Sequence, residues 1–326
     1  MAFDVVCLRP EADFLRVGVT PPESLRIAYR APGEADLAQL LREARALVMP
    51  AVGPKLPATL MEASALRLIQ VTGAGVDRLD EAALKRLGIP VANVPGGSNT
   101  AVAEYVIAAA SMLLRHFAWS NDEVRAGRYR EFRGAMLGEN LSGLHGLTAG
   151  IVGMGTIGLA VAQALRAYDC KILYHDPSPR DAQAASEFGA ISVTLDELLA
   201  RSDVVTIHVP LLPQTQGMIG AAQLARMKPG AILINAARGG IVDEAALAAA
   251  LRSGRLGGAA VDVYSVEPPD SSNPLLKLDG EAAQRLLLTP HIAGVTRQAY
   301  AILFGSAWEN VERVLSQGLA PLHRVY

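Results

Sequence analysis

Apolar residues occur in short β-branched runs that alternate with amphipathic stretches along the first part of the chain. The runs predict strands at Asp4–Leu8, Arg26–Tyr29, Ala46–Met49, Leu66–Val71 and Val91–Val94. The stretches between them predict helices at Glu34–Ala44, Ala58–Ser64 and Glu81–Leu87. Such alternation is typical of a parallel sheet with helices on both faces.

A second alternating series begins at Leu147. Its apolar runs predict strands at Ala149–Val152, Lys171–His175, Val204–Val209, Ala231–Asn235, Gly258–Val263 and Leu286–Leu288. A capping box at Thr194–Glu197 and an Asp243 that precedes an alanine-rich run indicate helix starts, and a last helix is expected from Arg297 to Ser316. Two such series in 326 residues predict an α/β protein of two domains.

A long helix is expected between the two series, from Ala101 to about Ala126. It carries an apolar stripe made of Val102, Tyr105, Val106, Ala109, Met112, Leu113 and Phe117. A stripe this broad indicates a face that is covered rather than exposed to water. A second copy of the chain and packing within one subunit both remain possible covers.

Composition narrows the class of protein. The net charge is -2, from 30 Lys+Arg against 32 Asp+Glu, which gives no footprint for nucleic acid or an anionic membrane. The N-terminus lacks a basic region before an apolar one, and the Ala101–Phe117 apolar stretch is interrupted by charges and is short for a membrane span. The two cysteines stand in apolar runs, as core residues do. We therefore expect a cytoplasmic protein without a metal site.

A glycine-rich turn, Gly153-Met-Gly155-Thr-Ile-Gly158, lies between a predicted strand and a predicted helix. In that setting the first glycine makes the tight turn, the second lets the backbone approach a pyrophosphate, and the third lets helix and strand pack closely. N–H groups at the helix start, near Thr156 and Ile157, would then bind the phosphates. The turn therefore predicts a dinucleotide site.

The next predicted strand ends in an acidic residue, Asp176, about 20 residues after the glycine turn. A carboxylate there is expected to accept hydrogen bonds from the adenosine ribose hydroxyls and to repel a 2′-phosphate. This favours NAD over NADP as the cofactor. The neighbouring Arg180 would weaken that preference if it faced the ribose, although we expect it to face solvent.

Arg238, Glu267 and His291 stand in three short contexts further along, NAARGG, VEPP and TPHIAG. A guanidinium can hold the carboxylate and carbonyl of a keto acid with its planar fork. An imidazole can pass a proton, and a carboxylate can fix that imidazole in one tautomer and favour its charged form. Together these three residues predict hydride transfer at a 2-keto or 2-hydroxy acid.

With these motifs in this order, the sequence resembles the D-isomer-specific 2-hydroxyacid dehydrogenase family over nearly its whole length. The resemblance implies a Rossmann NAD-binding domain, residues 99–294, inserted into a flavodoxin-like substrate domain made of residues 1–98 and 295–326. It also implies an active site in the cleft between the two domains. In the family the helix after the first domain forms a two-fold contact, so the resemblance favours a homodimer.

The resemblance adds further site residues. Those expected near the cofactor, besides the glycine turn and Asp176, are Val209, Pro210, Ala236, Asp262 and Gly294. A structural role at a strand end is the alternative for Asp262. The substrate carboxylate is expected on the backbone of Gly73, Ala74 and Gly75, together with the side chains of Arg238 and His291.

Differences from specialised branches of this family narrow the expected class of substrate. The loop after the third strand has no arginine of the kind that phosphoglycerate dehydrogenases place there, although Lys55 follows it. This disfavours a phosphorylated substrate but leaves it as an alternative. Ala74 stands where phosphite dehydrogenases carry lysine, and Glu267 stands where formate dehydrogenases carry glutamine. A small 2-keto acid such as glyoxylate, hydroxypyruvate or pyruvate is the expected substrate class. The alternative function is a catalytically idle NAD(H)-binding protein, like the family's corepressor branch.

Overall fold

The computed structural model describes residues 3–139, 141–179 and 181–326, so Arg180 lies outside the described residues. The chain divides into two compact units. Unit 1 comprises Met1–Ser98 and Val295–Tyr326, and unit 2 comprises Asn99–Gly294.

The described residues form strands that are labelled in chain order. They are β1 Val5–Cys7, β2 Ile27–Tyr29, β3 Ala46–Met49, β4 Leu68–Val71, β5 Val91–Ala92, β6 Thr148–Val152, β7 Lys171–His175, β8 Ile191–Ser192, β9 Val204–Ile207, β10 Ile232–Asn235, β11 Gly258–Val261 and β12 Leu286–Leu288.

The helices are labelled in the same way. They are α1 Glu11–Arg16, α2 Leu37–Glu43, α3 Glu81–Leu87, α4 Asn99–Leu114, α5 Phe117–Arg125, α6 Tyr129–Gly138, α7 Thr156–Arg166, α8 Ala182–Glu187, α9 Leu195–Arg201, α10 Ala221–Arg226, α11 Glu244–Arg252, α12 Gly280–Gln284 and α13 Arg297–Leu315.

Unit 1 contains a five-stranded parallel sheet in the order β2-β1-β3-β4-β5, which is the flavodoxin-like order. Apolar side chains cover both faces, as a parallel sheet requires. On one face, Phe304 and Trp308 of α13 pack with Phe14 of α1. On the other, Leu41 of α2 and Leu84 of α3 belong to the core.

Unit 2 contains a seven-stranded parallel sheet in the order β12-β11-β10-β9-β6-β7-β8. Strand order reverses between β6 and β9, as it does in the Rossmann fold. Helices α4 and α7 pack together on one face, and α10 and α11 lie in the cluster on the other. The prediction of an α/β protein built on parallel sheets is confirmed.

Most predicted elements are present, with shifted ends. Three strands have the predicted bounds, namely Ala46–Met49, Lys171–His175 and Leu286–Leu288. By contrast, β9 ends at Ile207, before the predicted Val209. The predicted helix Ala58–Ser64 is only a 3-10 turn, Ala58–Leu60. Ala63 has a φ of 57°, and a residue in the left-handed region cannot continue a right-handed helix.

The prediction of one helix from Ala101 to Ala126 is wrong. Helix α4 ends at Leu114, α5 begins at Phe117, and the two are bent by 53°. His116 between them adopts a left-handed φ of 49°. Helix α4 packs against α7, β10 and β11, so the apolar stripe is covered largely inside the unit, while Phe117 beyond the break is 47% exposed.

A membrane span has only weak support. In the described part of the chain, no single helix is long and apolar enough to cross a bilayer. The bent pair α4 and α5 passes that test by length and composition alone. Several α4 residues are buried in the core of unit 2, which is how the core helix of a globular unit also passes it.

Candidate active site

All the site residues predicted for unit 2 lie at one edge of its sheet, the edge formed by the carboxyl ends of the strands. The strands are parallel, so the loops that follow them leave from the same edge, where ligands bind in open α/β sheets. The glycine turn follows β6, Asp176 follows β7 and Val209 follows β9. Arg238, Glu267 and His291 follow β10, β11 and β12, which are consecutive neighbours in the sheet.

The glycine turn has the steric properties that were predicted for it. Gly153 has a φ of 98°, and a Cβ there would stand 2.7 Å from the carbonyl oxygen of His208. A Cβ on Gly158 would collide with the carbonyl of Gly153. By contrast, a Cβ on Gly155 would meet no atom within 4 Å, so the backbone is open on that side. Two glycines thus serve packing, and the third borders open space.

The start of α7 suits an anion. Gly155 is its N-cap residue and provides no side chain to cap the first N–H groups. Thr156 and Ile157 form the first turn and are half-buried. Such a helix start favours a negatively charged ligand. Its first N–H groups lack partners within the helix and can donate to an anion, and the positive end of the helix dipole lies at the same place.

Asp176 lies half-buried at the end of β7. Its Oδ2 accepts a hydrogen bond from the Met154 N–H at 2.7 Å, and its Oδ1 accepts one from the Ser178 N–H at 2.8 Å. The carboxylate therefore supports the glycine turn from the neighbouring strand. Each oxygen retains a lone pair that a ribose hydroxyl could use.

These features fit an NAD molecule along the sheet edge. Val209 and Pro210 lie two and three residues beyond the end of β9, Ala236 follows β10, and Gly294 ends unit 2. The open side of Gly155, the uncapped start of α7 and the carboxylate of Asp176 are the parts that a dinucleotide requires. None of the predicted cofactor residues lies at the opposite edge of the sheet.

His291 and Glu267 form a direct pair. The Nδ1 atom of His291 is 2.9 Å from Oε2 of Glu267, and the two side chains are 24% and 28% exposed. The other carboxylate oxygen, Oε1, accepts a hydrogen bond from the Tyr264 N–H at 3.0 Å. Because an ionised carboxylate only accepts, the imidazole donates from Nδ1, which leaves Nε2 to exchange a proton with a ligand.

Arg238 lies in a loop that its neighbours hold closely. Asn235 is buried; its Nδ2 donates to the Arg238 carbonyl at 3.1 Å, and its Oδ1 accepts from the Ala237 N–H at 3.2 Å. The Nη1 atom of Arg238 donates to the Ala237 carbonyl at 2.7 Å. A Cβ on Gly239 would collide with the backbone of Tyr264, so this glycine lets the Arg238 loop pack against the loop that leads to Glu267.

Asp262 is completely buried one residue beyond β11. Its carboxylate accepts hydrogen bonds from the Thr289 hydroxyl at 2.6 Å and from the N–H groups of Ile292 and Ala293, each at 2.8 Å. All three donors flank His291 in sequence. These contacts agree with the alternative role for Asp262, a structural one at the end of a strand. A contact between Asp262 and the cofactor stays a prediction.

The loop predicted to receive the substrate carboxylate belongs to unit 1 and follows β4. The carbonyl of Gly73 accepts from the Val94 N–H at 3.0 Å, and the carbonyl of Ala74 accepts from Asn93 Nδ2 at 2.7 Å. Ala74 is exposed and Gly75 is half-buried. Engaged carbonyls orient the peptide units of this loop, which is a prerequisite for presenting N–H groups to an anion.

Sequence reasoning missed a histidine and a hydroxyl pair around this edge. His208 follows β9, and its Nε2 is 2.9 Å from the Thr206 hydroxyl. Burial lowers the pKa of His208 to about 3, so its imidazole is neutral near pH 7. The second omission is the contact of the Tyr105 and Thr289 hydroxyls at 2.8 Å. Of these residues, only Thr289 carried a signal in the sequence, because it is the threonine of the TPH motif.

Comparison with known proteins gives consistent results. The family described as D-isomer specific 2-hydroxyacid dehydrogenase, NAD binding domain, matches residues 107–293. A D-3-phosphoglycerate dehydrogenase of Archaeoglobus fulgidus is 42% identical over 74% of this chain, which spans only 44% of that protein. A glycerate dehydrogenase of Methylorubrum extorquens is 39% identical over 78% of this chain and 77% of its own length.

A solved structure agrees over the full length. The crystal structure of a D-lactate dehydrogenase from Treponema pallidum has a TM-score of 0.80 and 30% sequence identity, and the alignment covers 99% of both chains. The family match covers most of unit 2, which contains the glycine turn, Asp176, Arg238, Glu267 and His291. The chain therefore belongs to the D-isomer-specific 2-hydroxyacid dehydrogenase family of NAD-dependent oxidoreductases.

Proposed function

We propose that this protein interconverts a small 2-keto acid and its D-2-hydroxy acid with NAD as the cofactor. The contact between His291 Nδ1 and Glu267 Oε2 at 2.9 Å carries the proposal. It gives the imidazole a fixed tautomer and a charge partner at the sheet edge where the cofactor residues lie. A histidine in that state is suited to deliver a proton to an oxygen that becomes an alkoxide.

In the direction of reduction, bound NADH supplies the hydride that reduces C2 of the keto acid. His291 donates the proton from Nε2 to the carbonyl oxygen, and Glu267 stabilises the imidazolium before that transfer. Glu267 itself keeps its charge throughout. In the direction of oxidation the same nitrogen accepts the proton of the hydroxyl group, so the pair serves as acid and as base.

Arg238 is proposed to bind the substrate carboxylate and carbonyl. Its guanidinium can form two parallel hydrogen bonds with a planar carboxylate, and its charge polarises the carbonyl that receives the hydride. The support is the tight loop around Asn235, which fixes the backbone from which the side chain extends. Gly73, Ala74 and Gly75 of unit 1 are proposed to receive the carboxylate through their backbone N–H groups.

The proposed substrate class is glyoxylate, hydroxypyruvate or pyruvate. The names of the similar proteins include glycerate and D-lactate dehydrogenases, whose substrates are small 2-hydroxy acids. We also propose a homodimer. Helices α5 and α6 expose large apolar side chains that a partner could cover, namely Phe117, Val124, Tyr129 and Leu137.

The test is NADH oxidation by the purified protein over a panel of 2-keto acids, repeated with His291→Ala. We expect the wild-type protein to reduce at least one small keto acid. His291→Ala should lower kcat at least about a hundredfold, because general acid catalysis contributes at least that much. Its dissociation constant for NADH should stay near that of the wild type, since the cofactor contacts are elsewhere.

His145→Ala is the matched control, because His145 has an 81% exposed side chain in the same unit. That variant should keep wild-type kinetics. A His291→Ala protein with near wild-type kcat would contradict the proposed role. A wild-type protein that binds NADH yet reduces none of the keto acids would favour the catalytically idle alternative.

A further inference from the structure

The buried carboxylate of Asp262 organises the loop that carries His291. It holds the N–H groups of Ile292 and Ala293, and the backbone carbonyl of the same residue accepts from the His291 N–H at 2.8 Å. One residue thus binds three consecutive N–H groups. Among the described residues, the carboxylate forms no ion pair, so the N–H groups of Ile292 and Ala293 and the Thr289 hydroxyl are the donors that satisfy it in its buried position.

The backbone of His291 needs such support. Its φ is 55°, and a non-glycine residue adopts the left-handed region only when its surroundings compensate the cost. The N–H groups held by Asp262 are those of His291 itself and of the two residues after it. The backbone conformation fixes where the side chain leaves the chain, and therefore whether Nδ1 reaches Glu267.

Hydrogen-bond direction can be assigned along the chain of side chains. An ionised carboxylate only accepts, so the Thr289 hydroxyl donates to Asp262 Oδ1 at 2.6 Å. Thr289 Oγ1 is then left as the acceptor for the Tyr105 hydroxyl at 2.8 Å. Burial raises the pKa of Tyr105 to about 12, so this hydroxyl keeps its proton across the physiological range.

Tyr105 connects this loop to the scaffold of unit 2. It lies on α4, which packs along α7 and against β10 and β11. These elements belong to the buried core of the unit, whereas the His291 loop is partly exposed. A hydrogen bond from a core helix therefore reaches the loop that carries the imidazole.

We propose that Tyr105, Thr289 and Asp262 form a positioning chain that holds His291 in reach of Glu267 through directed hydrogen bonds from helix α4. The three residues act through His291 and are positioning residues. The inference rests on the proposed acid-base role of His291, and it assigns a function to a buried carboxylate, a threonine and a tyrosine outside the reacting groups.

Thr289→Val is the central test, because it keeps the shape of the side chain and removes its hydroxyl. We expect kcat for keto-acid reduction to fall about tenfold, the effect of losing one hydrogen bond to a charged group, with the NADH dissociation constant unchanged within about twofold. Thr289→Ser restores the donor and should recover most of the lost kcat. Tyr105→Phe should lower kcat less, about threefold, because the Thr289–Asp262 bond remains.

Nitrogen NMR of labelled histidine, with His291 assigned by its alanine variant, reports its tautomer without any turnover. In the neutral wild-type ring the proton should reside on Nδ1, and Thr289→Val should shift the population toward the other tautomer. Tyr168→Phe removes a hydroxyl from a residue of unit 2 that is 41% exposed and should change neither readout. It controls for the loss of a tyrosine hydroxyl elsewhere in unit 2.

Two results would overturn the positioning chain. One is a Thr289→Val protein that keeps kcat within about twofold of the wild type and an unchanged His291 spectrum. The other is a kcat loss that Thr289→Ser fails to recover while the spectrum stays unchanged. If the wild-type protein reduces no keto acid, the proposed function fails, and the tautomer measurements on Thr289→Val and Tyr105→Phe decide this inference alone.

Discussion

The Oδ2 atom of Asp176 accepts a hydrogen bond from the backbone N–H of Met154 at 2.7 Å. The residue expected to select the cofactor thus also ties the end of β7 to the glycine turn after β6. A substitution at Asp176 therefore has two consequences, one for the charge near the ribose and one for the support of the turn. Asn and Ser separate these consequences, because Asn keeps an oxygen in place while removing the charge.

Wild-type kcat/KM should favour NADH over NADPH by 10- to 1000-fold, on the order of a few kcal/mol of charge repulsion. Asp176→Asn should narrow that gap mainly by improving the use of NADPH, because its Oδ1 can still accept from Met154. Asp176→Ser should narrow the gap and also weaken NADH binding. Steady-state kinetics with both cofactors measure the two effects. Equal use of NADPH by the wild-type protein would refute the proposed selectivity.

Glu267→Gln should retain the size of the side chain and remove its charge. We expect kcat to fall about ten- to a hundredfold, because an amide stabilises an adjacent imidazolium less than a carboxylate does. NADH affinity should not change. Kinetics with the best keto acid check this, and Glu139→Gln, which changes an exposed glutamate of unit 2, is the control. Unchanged kcat in Glu267→Gln would exclude a catalytic contribution from the carboxylate charge.

Arg238→Lys should raise KM for the keto acid and lower kcat, although the charge is kept. The reason is that an ammonium cannot form the two parallel hydrogen bonds of a guanidinium. We expect a loss in kcat/KM of at least about tenfold for the lysine variant and a larger loss for Arg238→Ala. If lysine supported wild-type kinetics, Arg238 would act only as a charge.

His208 should make the protein sensitive to acid. Its folded-state pKa is about 3 against an ordinary 6.5, so the unfolded chain binds the proton first as pH falls. The stability from a neutral His208 is complete above about pH 6.5 and is lost progressively as pH falls from there toward 3. Between about pH 7.5 and pH 5, this residue should destabilise the fold by roughly 2 kcal/mol.

Thermal unfolding at these two pH values tests the prediction with His208→Gln, whose amide can still bond the Thr206 hydroxyl. The variant should lose less stability on acidification than the wild type does. His145→Gln, at an exposed position, should show the wild-type pH dependence. Identical acid sensitivity of His208→Gln and the wild type would assign the effect to other groups.

Light scattering should give twice the monomer mass of 34.3 kDa for the proposed homodimer. Leu137→Glu, at a position 66% exposed on α6, should shift the mass toward the monomer because it places a charge in an apolar contact. Leu322→Glu, 49% exposed in unit 1, is the matched control. A monomer mass for the wild type over a wide concentration range would refute the dimer.

The features that the sequence determined are those that local chemistry fixes. A strand needs a short apolar run, and the turn at Gly153 needs a residue without a side chain because its φ is 98° and the His208 carbonyl lies close by. Local sequence likewise determines two helix ends. Thr194 and Glu197 form the capping box at the start of α9, and Gly88 adopts the left-handed conformation that ends α3. The alternating pattern therefore predicted parallel sheets, and short motifs predicted the cofactor.

Tertiary structure decided what depends on residues far apart in the chain. The hydrophobic stripe could not show that α4 ends at Leu114, because the left-handed His116 that breaks the helix leaves the apolar pattern intact. Nor could the sequence reveal that Tyr105 reaches Thr289, or that Asp262 holds the His291 loop. Hydrogen bonds between distant residues exist only once the sheet aligns the ends of its strands, because parallel pairing sets which loops become neighbours.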